Sequence, residues 1–221
     1  MSAAPSLPRP FNPPPRLRDT RLPPPGEVPA VLTRGEPETH AYFSEIERLW
    51  SSDRAQLETD LRAHGESLES THWQRLNQVK YPPHWHTCVL VECYGTLQGM
   101  MAVENLLRPA RLTPAAWVLY VDYIELAPWN YCVPQNRALP LVRDARFKGV
   151  GVTLLGEAVR MSVGTTAGGR VGLHALPQAD EFYARCGMTR VGPDPLYHDL
   201  VYWEYADGAA AACLTALGLS A

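Results

Sequence analysis

No run of apolar residues in this chain approaches the roughly 18 needed to cross a bilayer, so no helical membrane span is expected. The start of the chain has neither a basic n-region nor an apolar h-region. A surplus of positive charge is missing too: 20 Lys and Arg against 23 Asp and Glu leave a net charge of -3, and nucleic acid is not an expected partner. Cysteine is scarce. The five (Cys88, Cys93, Cys132, Cys186, Cys213) are odd in number and lack C-x-x-C spacing, which argues against a disulfide framework and for a reducing, cytoplasmic location. Nor is there a zinc pattern. Strand alternation makes His84, His86 and Cys88 neighbours on one face without any ligand role, and no metal is expected.

What is present, 46% hydrophobic and 19% charged residues over 221 positions, describes one ordinary domain plus some tail. Proline is concentrated at one end, with 11 of 21 prolines at or before Pro37, interleaved with Arg9, Arg16, Arg18 and Arg21. Residues 1–37 therefore read as an extended or disordered arm: a docking motif, a segment laid over the domain, or a solvated tail. Because such a composition cannot bury a core, its removal is expected to leave the melting temperature nearly unchanged. Residues 38–206 form the expected domain, and 207–221, rich in alanine, a short helix or frayed tail.

Within the domain, Phe43, Ile46, Trp50, Leu57 and Leu61 recur at helical spacing, and Ser51-Ser52-Asp53 predicts a break between two helices. C-V-L-V-E-C-Y-G-T-L-Q-G-M-M-A-V-E (Cys88 to Glu104) predicts two strands joined at Gly95-Thr96. Ala116 to Ala127 is apolar on both alternating sets, the pattern of a central strand buried on both faces, and Pro128 ends it. An 18-residue connection leads to a helix that opens on Gly149 and Gly151. Arg170 to Ala175 predicts a strand, Pro177 to Met188 a short helix stopped by Gly187, and Leu200 to Tyr205 a last strand. The predicted class is α/β in the α+β sense: a mixed, mostly antiparallel central sheet flanked by helices.

The glycines raise a chemical question. A helix start without side chains lets a ligand reach outward-pointing N–H groups that lack intrahelical partners, an arrangement suited to phosphate. A central strand, a proline, R-x-x-G-x-G (Arg146, Gly149, Gly151) at a helix start, a further strand and a helix reading F-Y-x-x-x-G-M (Phe182, Tyr183, Gly187, Met188) together resemble the core of the GNAT acyltransferases, over about Cys88 to Tyr205. Two departures stand out: Leu176 occupies the place where relatives often have an asparagine, and the connection after the central strand is long.

The resemblance implies acetyl-CoA as co-substrate, its pyrophosphate held by the backbone of Lys148, Gly149, Val150, Gly151 and Val152 with charge from Arg146 or Lys148. It implies a thioester-binding amide near Leu126 or Ala127, and Tyr183 as the hydroxyl that protonates the leaving thiolate. For the base, Asp122 shares a face with Ile124 and Leu126, while Glu125 faces away unless a bulge intervenes. His174 is a third candidate, for proton transfer or acceptor contact, and Trp129, Asn130 and Tyr131 are candidate substrate contacts on the long connection. The expected activity is transfer of an acetyl group to a primary amine, small or on a protein, in a ternary complex; the family it resembles suggests a homodimer. The alternative is a non-catalytic binding protein of the same fold.

Overall fold

The computed structural model describes residues 14–35, 40–63, 85–131, 144–206 and 208–216. Its first strands fall inside the proline-rich segment. β1 (Arg16–Asp19) pairs antiparallel with β2 (Gly26–Pro29), and β3 (Val31–Gly35) follows. Alternation within R-L-R-D turns Leu17 and Asp19 inward and Arg16 and Arg18 to solvent. Leu17 is completely buried and joins Val28 and Ala30 in the main core. The expectation that this segment cannot bury a core is therefore corrected for residues 16–35, while residues 1–13 lie outside the described ones. Proline is accommodated because Pro23 to Pro25 occupy the β1–β2 connection and Pro29 closes a strand, places where no ladder hydrogen bond is lost. Leu17→Ala is expected to cost about 3 kcal/mol, which for a chain of this size lowers the melting temperature by roughly 6–12 °C. An unchanged melting curve would mean that these strands are separable from the domain.

α1 (His40–Ala63) is a single helix, and the predicted break at Ser51-Ser52-Asp53 does not occur. Ser51 Oγ donates back to the Arg48 carbonyl at 2.8 Å, absorbing its hydroxyl without interrupting the helix. The buried stripe of Ile46, Trp50, Arg54 and Leu57 runs straight through the predicted break. Tertiary packing overrides the local signal.

β4 (His86–Cys93) and β5 (Thr96–Glu104) form the predicted hairpin, turning at Tyr94–Gly95, both at positive φ, one residue earlier than expected. There follow β6 (Arg108–Pro109), β7 (Trp117–Leu126), a 3₁₀ turn at Pro128–Asn130, β8 (Phe147–Lys148), α2 (Val150–Val163), β9 (Val171–Ala175), α3 (Asp180–Arg185), β10 (Thr189–Asp194), β11 (Leu200–Glu204) and α4 (Ala209–Ala216). The main sheet has the order β10-β11-β9-β7-β5-β4-β3, and β8 pairs instead with β1 in a small separate sheet. Every neighbouring pair along the main order is antiparallel except β7 and β9.

The period-two alternation of β4 and β5 divides the core between two faces. Val89, Val91, Met101 and Val103 pack toward Leu154 and Leu155 of α2. Cys88, Met100 and Ala102 turn the other way, toward Ile46 and Trp50 of α1 and toward Trp129. The sheet is thus a central layer with α1 on one face and α2, α3 and α4 on the other.

Candidate functional site

Two features of β7 create a cleft. The parallel pairing of β7 with β9 runs from Leu119↔Val171 to Val121↔Leu173 and goes no further. At the same point Val103 faces Val121 and Ala102 faces Tyr123, so Asp122 is an extra residue, a bulge, against β5. Beyond it the carboxyl ends of two parallel strands part around a cavity of about 340 Å³. That is the place where open sheets commonly bind ligands.

The bulge also changes the register of side chains. Asp122 and Glu125 both line the cavity, although simple alternation sends them to opposite faces. Their environments differ. Glu125 is buried, receives Arg54 Nη2 at 2.8 Å from α1 and accepts the Tyr123 hydroxyl. Asp122 keeps 35% of its side chain exposed and has His86 Nε2 at 3.4 Å. Burial pushes its pKa above the ordinary 3.8, with Glu104 nearby acting in the same direction and His86 and Arg108 opposing. Asp122 is thus the more accessible of the two carboxyl groups, whereas Glu125 is held in an ion pair.

Tyr183 of α3 and Tyr131, just past the 3₁₀ turn, reach the same cavity. Tyr183 is 3% exposed, and desolvation raises its pKa, with Tyr131 adding to the effect. The phenol stays protonated at neutral pH and able to donate. His174, from the end of β9, lines the cavity with both ring nitrogens engaged: Nδ1 lies 2.7 Å from Tyr120 Oη and Nε2 3.1 Å from Asp194 Oδ2. The Arg111 guanidinium holds the Asp194 carboxyl down to about 2, so that group accepts and Nε2 donates to it. In the neutral ring, Nδ1 then accepts from the Tyr120 hydroxyl. Burial lowers the His174 pKa, consistent with that neutral form.

Two of the predicted acceptor contacts have their polar groups turned inward. Trp129 Nε1 donates to Gln98 Oε1 at 2.8 Å, and Asn130 Nδ2 donates to the Gln98 carbonyl at 3.0 Å while its Oδ1 receives the Phe147 amide. Both residues are buried and neither lines the cavity, so their observed work is to seat the turn. Residues 132–143 of the long connection lie outside the described ones.

Of the two predicted thioester amides, Ala127 N–H is already given to the Gln98 carbonyl at 2.9 Å. That corrects Ala127. Alternation along β7 then sends the Leu126 N–H the opposite way, toward the gap between β7 and β9. At the start of α2, Thr153 N–H closes the first intrahelical bond on the Gly149 carbonyl at 2.9 Å, which leaves the amides of Val150, Gly151 and Val152 with no intrahelical acceptor. Gly149 is the N-cap, with φ +98°, a conformation L side chains rarely adopt. A Cβ on Gly151 would meet Phe182 Cζ at 3.1 Å, so this glycine also serves close packing of α2 against α3. Lys148 bonds Asp144 at 2.9 Å, Arg146 lies over the Trp129 ring, and β8, which carries Lys148, is braced by β1.

The parted parallel pair, the glycine helix start and the tyrosine helix follow one another in the order that the GNAT resemblance implies. No family model and no curated protein sequence matches the chain. Among solved structures it is similar to aminoglycoside acetyltransferase AAC(6')-Ib in complex with coenzyme A and kanamycin, with 15% identity and a TM-score of 0.47 over 82% of this chain and 98% of that one. A CoA-dependent acyl-homoserine lactone synthase, BjaI, with SAM and isopentyl-CoA gives 7% identity and a TM-score of 0.45, covering 87% and 91%. An acyl-CoA N-acyltransferase from Pseudomonas aeruginosa gives 17% and 0.37, covering 80% and 99%. At such identities and TM-scores these likenesses carry no argument about activity, and the case for one rests on the chain's own residues.

Several cavity residues are invisible to motif reading. Tyr120 and Tyr123 sit on the same strand as Asp122 and could have been found by extending its alternation through the bulge. Arg54, His86 and the Leu196–His198 loop come together only in three dimensions. Among the described residues, no group of three or more His, Cys, Asp or Glu is placed to hold a metal ion, and no helix is long and apolar enough to cross a membrane.

Proposed function

We propose that the chain is an N-acyltransferase that moves an acetyl group from acetyl-CoA directly to a primary amine while both are bound. One observation supports this reading: a partly exposed carboxyl, Asp122, and a phenol, Tyr183, line one cavity at the parting of β7 and β9, in a fold whose glycine helix start leaves the amides of Val150, Gly151 and Val152 without intrahelical acceptors. Acetyl-CoA supplies the acetyl group as an activated thioester. The amides of Val150, Gly151 and Val152 and the α2 dipole suit its pyrophosphate, and Lys148 and Arg146 add positive charge at the rim. The Leu126 N–H is the donor available to a thioester oxygen in the gap. Asp122 takes the proton from the attacking amine, directly or through water, as the C–N bond forms and the C–S bond breaks. Tyr183 gives a proton to the departing sulfur, and solvent restores both groups. Glu125 holds Arg54 and Tyr123 in place at the cavity wall.

The same fold could serve as a non-catalytic binding module, and acetyl-CoA-dependent release of free thiol in the presence of amines separates the two. A catalyst releases thiol above background; a binding module does not.

A further inference from the structure

We infer that the acceptor is a small monoamine with an apolar or aromatic body and no carboxylate. The inference rests on the N-acyl transfer reading for which end of the molecule reacts, but the selectivity itself comes from the walls of the cavity.

Charge is the first observation. The ionised side chains that line the cavity are Asp122 and Glu125, and among the described residues no lysine or arginine lines it. The guanidiniums around it are committed elsewhere. Arg54 is paired with Glu125 at 2.8 Å, Arg108 donates to Glu104 at 2.7 Å and lies 3.5 Å from the centre of the Tyr120 ring, and Arg111 is paired with Asp194. An ammonium entering this space meets the Asp122 carboxylate, whereas an amino acid brings its own carboxylate against it while the guanidiniums nearby among the described residues are already engaged. Like-charge juxtaposition of this kind is an effective means of rejecting wrong partners.

The second observation is the shape of the apolar surface. Tyr120, Tyr123, Tyr131 and Tyr197 supply aromatic faces, which attract cations and cover flat or aliphatic bodies alike. Tyr197 is stacked on His174 with ring centroids 3.8 Å apart and planes within 10°. It belongs to a loop held by Asp194, which accepts Leu196 N–H on Oδ1 at 2.9 Å and Asp199 N–H on its carbonyl at 3.0 Å. His198 and Asp199 both adopt left-handed φ, +54° and +60°, a cost that non-glycine residues bear only where surrounding structure fixes them. The loop so fixed carries Leu196, 88% exposed, as an apolar lip on the cavity. At about 340 Å³ the space lies at the low end of small-molecule sites, which span roughly 300–1,000 Å³.

The test uses the full chain and two probes that share an amine and a phenyl ring and differ in the carboxylate, 2-phenylethylamine and phenylalanine. With acetyl-CoA, kcat/KM is expected to be at least ~10-fold higher for 2-phenylethylamine, since one unfavourable charge contact of about 1.4 kcal/mol gives that ratio. Leu196→Arg, at a position exposed enough to tolerate it, should narrow the gap at least ~3-fold without a change in melting temperature, because it places a counter-charge at the lip. Equal or better use of phenylalanine, or a gap that Leu196→Arg leaves untouched, overturns the inference. Calorimetric titration with the same two compounds separates this selectivity from the catalytic reading. Preferential binding of 2-phenylethylamine without turnover sustains the selectivity while the activity fails. Binding of neither compound, or tighter binding of phenylalanine, overturns the selectivity whatever the activity.

Discussion

Replacing Tyr183 by Phe is expected to lower kcat by about 10²-fold or more while the melting temperature and the affinity for acetyl-CoA stay close to those of the unaltered chain. The substitution removes one oxygen and keeps the ring that packs beside Phe182 and Trp203. Among the described residues no group hydrogen-bonds the Tyr183 hydroxyl, so deleting it leaves no partner unsatisfied and the fold loses little. Desolvation raises the pKa of the phenol and keeps its proton in place at neutral pH, the state a donor to a leaving thiolate requires. A wild-type kcat in the Phe variant, measured where chemistry limits turnover, would assign the proton to solvent or to another group and leave Tyr183 as a packing residue.

Asp122→Asn is expected to have an effect at least as large, a loss of about 10²- to 10⁴-fold in kcat, with a distinctive pH signature. Burial favours the protonated form of Asp122, so its pKa in the folded chain lies above 3.8 and the acidic limb of kcat/KM lies above the ordinary carboxylate range. The stability sign follows from the same shift. A carboxyl whose pKa is raised by folding is stabilising to the fold only when protonated, and its ionised form opposes folding at neutral pH. Asn, which is never ionised, should therefore hold or slightly raise the melting temperature at pH 7 while activity is lost and the acidic limb disappears. Glu125 provides the contrast. Removing it takes the carboxylate at 2.8 Å from the buried Arg54, an expected loss of about 3–5 kcal/mol, so its variants are expected to fail through stability. An Asp122→Asn chain that retains its turnover and its pH profile would move the base to another group.

Much of this architecture is legible in the sequence because it depends on local periodicity. Val118 to Val121 are apolar in succession, a pattern expected of a strand buried on both faces, and β7 is the middle of the sheet. Gly149 marks the start of α2 because its left-handed φ favours glycine, a constraint written into the residue type itself. Elements fixed by distant partners were not legible. β10 is missing from the predicted elements because T-R-V-G-P-D contains Gly and Pro, yet it is an edge strand of the sheet, where both are tolerated. Ser51 and Ser52 look like a helix break until Trp50 and Leu57 are seen anchoring one continuous helix. The candidate site follows the same division. Asp122, Glu125, Tyr131, His174 and Tyr183 all reach one cavity, but the bulge that brings Asp122 and Glu125 together depends on pairing with β5. That Trp129 and Asn130 turn inward is not legible locally, because their partner, Gln98, lies on that other strand.

Formation of an N-acetylated amine tests the account most directly. The full chain is incubated with acetyl-CoA and 2-phenylethylamine, the product is identified by mass spectrometry, and the intact protein is weighed in parallel. The account predicts N-acetyl-2-phenylethylamine and free thiol in equal amounts, with the protein mass unchanged because transfer is direct. No acetylated product with this amine or with a wider amine panel, and no thiol release above background, would contradict it.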